Sequence, residues 1–311
     1  MKIFVIGSTG FLGSAITQQA VAAGHEVVGF ARSEDGAAKV RELGATPFIG
    51  DVAEVASVAA ALTEAETIVF APQIPTLPEE NAIVGRLLDH LQGSGKTFLF
   101  TSGSGLLSER TDGEWSETSF AEDDDFMPAK YVSIRRCTET QVRAAAWTGL
   151  RSMVIRPPAI WGNGYHPFVD MILTSIEKTG AACYYGAGRN LYSQVNVNDL
   201  ADLYLLAAEK GTAGALYHAA AGEMDNRTFA EHVGRQQGVG TRSLTKSEAI
   251  EIWGTFVALC IQGVCSRTRA PRSRAELGWR PHRLDLTDQI LAGELNGRRS
   301  LQAIRQKDEK A

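Results

Sequence analysis

The sequence is poor in the residue patterns that mark several large functional classes. Its four cysteines, Cys137, Cys183, Cys260 and Cys265, contain no CxxC pair and no histidine at metal-ligand spacing, which leaves a zinc site without support. Cys260 and Cys265 fall in an apolar stretch that reads as helical, where small core residues are expected, and the set suits a reducing cytoplasm. Long apolar runs are missing too: Thr255 to Val264 falls far short of the roughly 20 residues a spanning helix needs. There is no basic excess. The 31 lysines and arginines stand against 36 acids, a net charge of −5, so neither nucleic acid nor an anionic membrane is an expected partner. Internal repeats and low-complexity tracts are absent. Met1-Lys2 followed by Ile3 to Ile6 resembles the start of a signal peptide, but Gly7, Ser8, Thr9 and Gly10 interrupt it, and a buried first strand is the better reading. At 44% hydrophobic and 22% charged residues, the 311-residue chain is that of an ordinary globular protein with one extended domain or two closely packed ones.

The first half repeats a rhythm of short apolar run, turn and longer amphipathic segment. Lys2–Ile6, Glu26–Phe30, Thr46–Ile49, Thr67–Ala71, Lys96–Thr101 and Arg151–Arg156 are short and mostly rich in Val, Ile and Phe, as strands buried on both faces require. Gly24, Gly44 and Gly93-Ser94-Gly95 follow the intervening segments, where helices commonly stop. The pattern predicts an α/β fold: a Rossmann-type doubly wound parallel sheet with a smaller, mostly helical C-terminal substrate region. Residues 1–160 are expected to form the dinucleotide-binding part, with 191–220 returning to it; 161–190 and 221–290 form the substrate-binding region and 297–311 a polar tail.

Gly7-Ser8-Thr9-Gly10-Phe11-Leu12-Gly13 lies between the first strand and the first helix. Glycines there allow a tight turn and close approach to a pyrophosphate, and the helix start offers free N–H groups and a favourable dipole. After the second strand stand Arg32 and Ser33, where an NAD-selective site usually has an acid. A guanidinium beside a hydroxyl suits the 2′-phosphate of NADP, with NAD the less favoured cofactor; the alternative is a solvated arginine paired with Glu34 or Asp35. Asp51-Val52 follows the third strand, with Asp51 either facing the adenine amine or capping the next helix.

Taken together with Phe100 to Gly105, with Tyr131, Arg135 and Glu139, with Arg156-Pro157 to Gly162, with Asn196 to Ala201 and with Leu277 to Pro281, these residues resemble the extended short-chain dehydrogenase/reductase family from Lys2 to about Leu286. The resemblance implies a catalytic tyrosine, Tyr131, a cation four residues on, here Arg135 in place of lysine, and a hydroxyl after the fifth strand. By ungapped alignment that last position is Gly103, flanked by Ser102 and Ser104. It also implies cofactor contacts from Ala71, Thr101, Arg135 and Pro157. Dimerisation would use the helices bearing Tyr131 and Pro78 to Gln92, so monomer or homodimer are the expected states.

Spacing of four sets Tyr131 and Arg135 on one helical face, where a fixed cation would ease ionisation of the phenol. In that reading Tyr131 protonates the developing alkoxide and Ser102 or Ser104 holds the carbonyl oxygen. In the alternative, Tyr131 packs under the Leu106 to Pro128 loop and Arg135 pairs with Glu139. The expected activity is NADP-dependent reduction of a small to medium carbonyl compound, or oxidation of the alcohol. A nucleotide-sugar epimerase or dehydratase and a non-catalytic NADP(H) sensor are the alternatives. The run Glu122-Asp123-Asp124-Asp125 reads as a solvated loop face with no ligand role, and no metal is expected. His166, His218 and His282 read as surface or core residues. Trp161, Tyr165, Phe168, Tyr184, Tyr185 and Tyr192 either line an aromatic pocket or fill a core.

Overall fold

The computed structural model describes residues 1–295; the tail expected at 297–311 lies outside the described residues. The apolar runs form parallel strands β1 (Lys2–Ile6), β2 (Glu26–Ala31), β3 (Thr46–Ile49), β4 (Thr67–Phe70) and β5 (Thr97–Thr101). Between them run α1 (Phe11–Ala22), α2 (Glu34–Glu42), α3 (Val55–Glu64) and α4 (Leu77–Leu91). Thr76 caps α4 by accepting from the Glu79 amide, Pro78 fits its first turn, and Gly93 at φ 70° follows its end. The short β6 (Glu109–Arg110) and α5 (Ser133–Ala144) lead to β7 (Arg151–Arg156). Further on come β8 (Ala159–Trp161), α6 (Pro167–Thr179), β9 (Ala182–Tyr185), β10 (Leu191–Asn196), α7 (Val197–Lys210) and β11 (Leu216–His218). They are followed by β12 (Glu223–Asp225), α8 (Asn226–Gln237), β13 (Thr241–Leu244), α9 (Lys246–Trp253) and β14 (Val264–Cys265).

Seven strands make one sheet in the order β11-β7-β5-β4-β1-β2-β3, the doubly wound Rossmann-type arrangement. The winding reverses between β1 and β4, so a crevice opens there at the carboxyl ends of the strands. One face buries Ile16, Leu200 and Tyr204 of α1 and α7, and the other buries Val58, Leu87 and Val142 of α3, α4 and α5. A third cluster around Phe168, Phe229 and Trp253 forms the core of the smaller C-terminal region.

Two sequence expectations change. Of the segment 191–220, β11 joins the main sheet and α7 packs on α1, but β10 pairs with β8 and β12 in a separate three-stranded sheet. Its buried Ser193 and Gln194 are satisfied there, Ser193 Oγ accepting from the Thr268 amide at 2.9 Å and Gln194 Oε1 meeting His166 Nε2 at 3.0 Å. Cys265 sits in β14 rather than in a helix, and Cys260 sits in a π-helical turn, Ala258–Gln262.

Two histidines are buried as neutral imidazoles. His166 caps α6, Nδ1 accepting from the Phe168 amide at 3.0 Å, and burial drives its pKa down to about 3. His218 lies 3.3 Å from Arg156 Nη1 and donates from Nδ1 to the Arg269 carbonyl at 2.9 Å; burial and then the Arg156 charge take its pKa down to about 4. In the unfolded chain both bind protons near 6.5. Their contribution, on the order of a few kcal/mol, is therefore complete above that value and is lost as the pH falls toward 4. The melting temperature should fall steeply between about pH 6.5 and about pH 4.5, and a level value across that interval would contradict neutral burial.

Candidate active site

The site begins with two places where a side chain cannot fit. Gly7 has φ +99°, and a Cβ there would lie 2.6 Å from the Ala71 carbonyl oxygen. A Cβ on Gly13 would lie 2.0 Å from the Gly7 carbonyl oxygen, so the first turn of α1 packs directly on the end of β1. Gly10 is the N-cap of α1, without a capping side chain and with no acid in the first turn. The opening amides of Phe11, Leu12 and Gly13 thus form an uncapped helix start at the crevice, which fits a pyrophosphate. Thr9 and Gly10 are exposed beside it, and Leu12 is buried in the core beneath. The Ser8 hydroxyl is fully buried and donates to the Phe30 carbonyl at 2.8 Å, tying the turn to β2.

At the end of β2, Arg32 is exposed and makes no ion pair or hydrogen bond among the described residues. Glu34 pairs with Arg41 at 2.9 Å, so the alternative Arg32–Glu34 pairing is not formed. Ser33 caps α2, its hydroxyl accepting from the Gly36 amide at 3.3 Å. Asp51 Oδ1 accepts from the Ala53 amide at 2.9 Å in a local turn, while the residue before α3 is Glu54, so Asp51 is not the helix cap. Val52 is buried in the core. The Ala71 amide donates to Ile6.

At the other side of the crevice, the end of β5 discriminates between the two serines. Ser104 lies in a short 3-10 turn, Ser104–Leu107, and its hydroxyl meets Ser266 Oγ at 3.3 Å. Ser102 Oγ is buried and has no hydrogen-bond partner among the described residues. A buried hydroxyl left so costs about 1–3 kcal/mol unless a ligand takes it up. The Thr101 hydroxyl is bound to Tyr204 at 2.6 Å and the Pro157 carbonyl accepts from the Ser104 amide at 2.9 Å, so both stiffen the strand ends.

Tyr131 lies in a 3-10 turn, Lys130–Val132, just ahead of α5 and not on its helical face. Its half-exposed ring meets Phe256 edge-on at 6.0 Å, and its hydroxyl lies beside Cys260, one turn beyond Phe256. Burial and then Cys260 push the phenol well above its ordinary value of 10.0. The expected easing of ionisation by Arg135 is not what the structure holds. Arg135 Nη2 is 2.7 Å from Oε2 of Glu80, a buried acid on α4. The alternative Arg135–Glu139 pair is also absent, because Glu139 is bound by Arg156 through two bonds, the shorter 2.5 Å. Glu80, Phe256 and Cys260 were missed in the sequence. Only Glu80 left a signal, since it continues the buried stripe Ile83, Val84, Leu87, Leu91 of α4 at helical spacing.

The acid run is not merely solvated. Glu122 is buried and accepts from the His218 amide at 3.2 Å, Asp123 pairs with Arg272 at 2.5 Å and Asp124 with Arg269 at 3.0 Å. Trp161, Phe168, Tyr185 and Tyr192 fill the C-terminal core, Tyr165 packs edge-on against Phe11 at 4.9 Å, and Tyr184 lies under the Arg227 guanidinium. Asp199, Asp202 and His282 come within 4.8 Å of one another, and Arg283 supplies the counter-charge, 2.5 Å from Asp199.

The sequence profile of the NAD dependent epimerase/dehydratase family matches residues 3–220. The chain belongs to this family. It is 31% identical over 298 residues to an uncharacterized protein of Schizosaccharomyces pombe, covering 93% of this chain and 98% of that one. It is 27% identical over 237 residues to the 4-hydroxy-2-methyl-3-oxo-4-farnesyl-3,4-dihydroquinoline-1-oxide ketoreductase of Stigmatella aurantiaca, covering 70% of this chain and 67% of the relative. Among solved structures, DesIV, a dTDP-glucose 4,6-dehydratase from Streptomyces venezuelae with NAD and TYD bound, shares the fold at a TM-score of 0.74 and 20% identity, over 98% of this chain and 97% of that one. As a member of the epimerase/dehydratase family, the chain has its crevice in the position expected for a dinucleotide.

Ser8→Ala removes a buried hydrogen bond and should lower stability by about 1 kcal/mol in denaturant unfolding, with cofactor affinity held within about twofold. Weaker cofactor binding at unchanged stability would instead assign the Ser8 hydroxyl to the phosphate.

Proposed function

We propose that this family member is an NADPH-dependent carbonyl reductase acting on a small to medium ketone or aldehyde, with Tyr131 as proton donor. The observation that carries the reading is the environment of Tyr131. Its phenol is kept in the protonated form by burial and by Cys260, so at neutral pH it carries the proton that a developing alkoxide would take, while Arg135, committed to Glu80, does not strengthen it as an acid. The unpartnered Ser102 hydroxyl supports a second hydrogen bond to the same oxygen, while Ser104 is occupied by Ser266. The uncapped start of α1, with Gly7, Gly10 and Gly13, would hold the pyrophosphate, and the exposed, unpaired Arg32 with Ser33 would hold the 2′-phosphate. When bound, the nicotinamide supplies the hydride. The ketoreductase relative supports this reading; the likeness to sugar-nucleotide enzymes is one of fold. The Arg135–Glu80 pair favours a second reading, NADPH binding without turnover, since it withdraws the cation from the phenol.

The test is NADPH consumption over a carbonyl panel. Tyr131→Phe should lower turnover by about 10²- to 10⁴-fold with NADPH affinity retained. Tight NADPH binding with no turnover on any carbonyl would favour the second reading, and unchanged turnover in the variant would remove Tyr131 as donor. Arg32→Ala should weaken NADPH by about tenfold or more and leave NADH unaffected. Because the phenol stays protonated past its ordinary value of 10.0, the reductive rate should show no Tyr131-dependent decline up to that pH. A decline centred near pH 7 to 8, about where a cation-assisted phenol would ionise, and absent from Tyr131→Phe, would contradict this.

A further inference from the structure

A cavity of about 690 Å³ lies on the flank of α5 away from α4, between that helix and the loop that ends at Phe126. Arg136, Thr140 and Arg143 follow one another at spacings of four and three along this flank, and Trp147, in the turn after the helix, continues the stripe. Among the described residues, neither guanidinium of this stripe forms an ion pair. Arg136 is stacked on Phe126 at 4.3 Å, and its Nη1 is shielded from solvent with no hydrogen-bond partner among the described residues. Arg143 donates from Nε to the Gly214 carbonyl at 2.9 Å and has no ion pair among the described residues. Burial, and then the nearby cations Arg272 and Arg156, hold the Arg143 guanidinium below its ordinary value.

Most carboxylates of the surrounding wall are already taken. Asp123 is held by Arg272, Asp124 by Arg269, and the floor is the Arg156–Glu139 pair. Asp125 alone has no partner among the described residues, and it opposes an anion. The Trp147 indole is 90% exposed at the rim, an unusual state for so large an apolar surface and one that a flat ring would cover.

We propose that this cavity binds a small aromatic anion, a ring carrying a carboxylate or a phosphate. The anion takes the free N–H groups of Arg136 and Arg143, and the ring lies on Trp147. The site is separate from the crevice: Arg135 faces Glu80 on α4, while its neighbour Arg136 faces the opposite flank.

The full chain is titrated with phenyl phosphate and with benzoate, with and without saturating NADP⁺, and followed by saturation-transfer NMR and tryptophan emission. At least one probe should saturate and be indifferent to NADP⁺. Saturation by phenyl phosphate alone identifies a phosphate ligand, and by benzoate alone a carboxylate. Arg136→Gln and Arg143→Gln should each weaken binding by about tenfold, Asp125→Asn should tighten it, and Trp147→Phe should abolish the emission change. If an arginine variant fails to fold, Trp147→Ala, at a 90% exposed position, should still weaken the NMR-detected binding several-fold. No saturation by either probe up to about 10 mM, displacement by NADP⁺, or unchanged affinity in the folded arginine variants and Trp147→Ala would overturn the proposal.

Discussion

A single backbone contact governs the nucleotide end of this molecule: at Gly13 even a methyl group would sit 2.0 Å from the Gly7 carbonyl oxygen. Because no side chain intervenes, α1 starts immediately beyond β1 and its first amides open into the crevice where the sheet reverses direction. The carbonyl of Ala71 crowds Gly7 from the β4 side, and the Ser8 hydroxyl pins the turn to β2. The cradle is fixed from three strands, yet its inner surface is bare backbone. A helix that lacks both a capping side chain and an early acid is short of a partner at its positive end, a shortfall that an anionic ligand would make up.

The other end of the site is governed by buried charge. α5 is held on one flank by Arg135 to Glu80 of α4 and underneath by Glu139 to Arg156 of β7, whose guanidinium also touches His218. Pairs of this kind contribute little net stability, but removing one partner strands a buried charge, so they fix geometry strongly. The turn bearing Tyr131 leads directly into this anchored helix, and the segment carrying Phe256 and Cys260 closes over the phenol from the C-terminal region. The phenol therefore meets a weakly polar, partly dry surface instead of a cation, which favours its protonated form.

How much of this was readable in the sequence follows from range. The strands of the main sheet, the glycine turn and the helix stops are local patterns, visible because a strand buried on both faces needs an unbroken apolar run and a turn with positive φ needs glycine. Glu80 was readable in principle from its place on the apolar stripe of α4. The departure of β10 from the main sheet was not, because Ser193 and Gln194 are satisfied by Thr268 and His166 far along the chain. The same holds for the acid run, whose partners Arg269 and Arg272 lie beyond any local window, and for Cys260 beside Tyr131. At the site itself, spacing alone put Tyr131 and Arg135 together, and a more distant carboxylate took the cation away.

The claim on which the account rests is that the opening amides of α1 receive a dinucleotide pyrophosphate. Amide hydrogen exchange, resolved at Phe11, Leu12 and Gly13 with and without NADPH, addresses it most directly. Strong slowing at these three amides on NADPH addition is the expected result. Binding of NADPH that leaves their exchange unchanged, or no binding at all, would contradict the account.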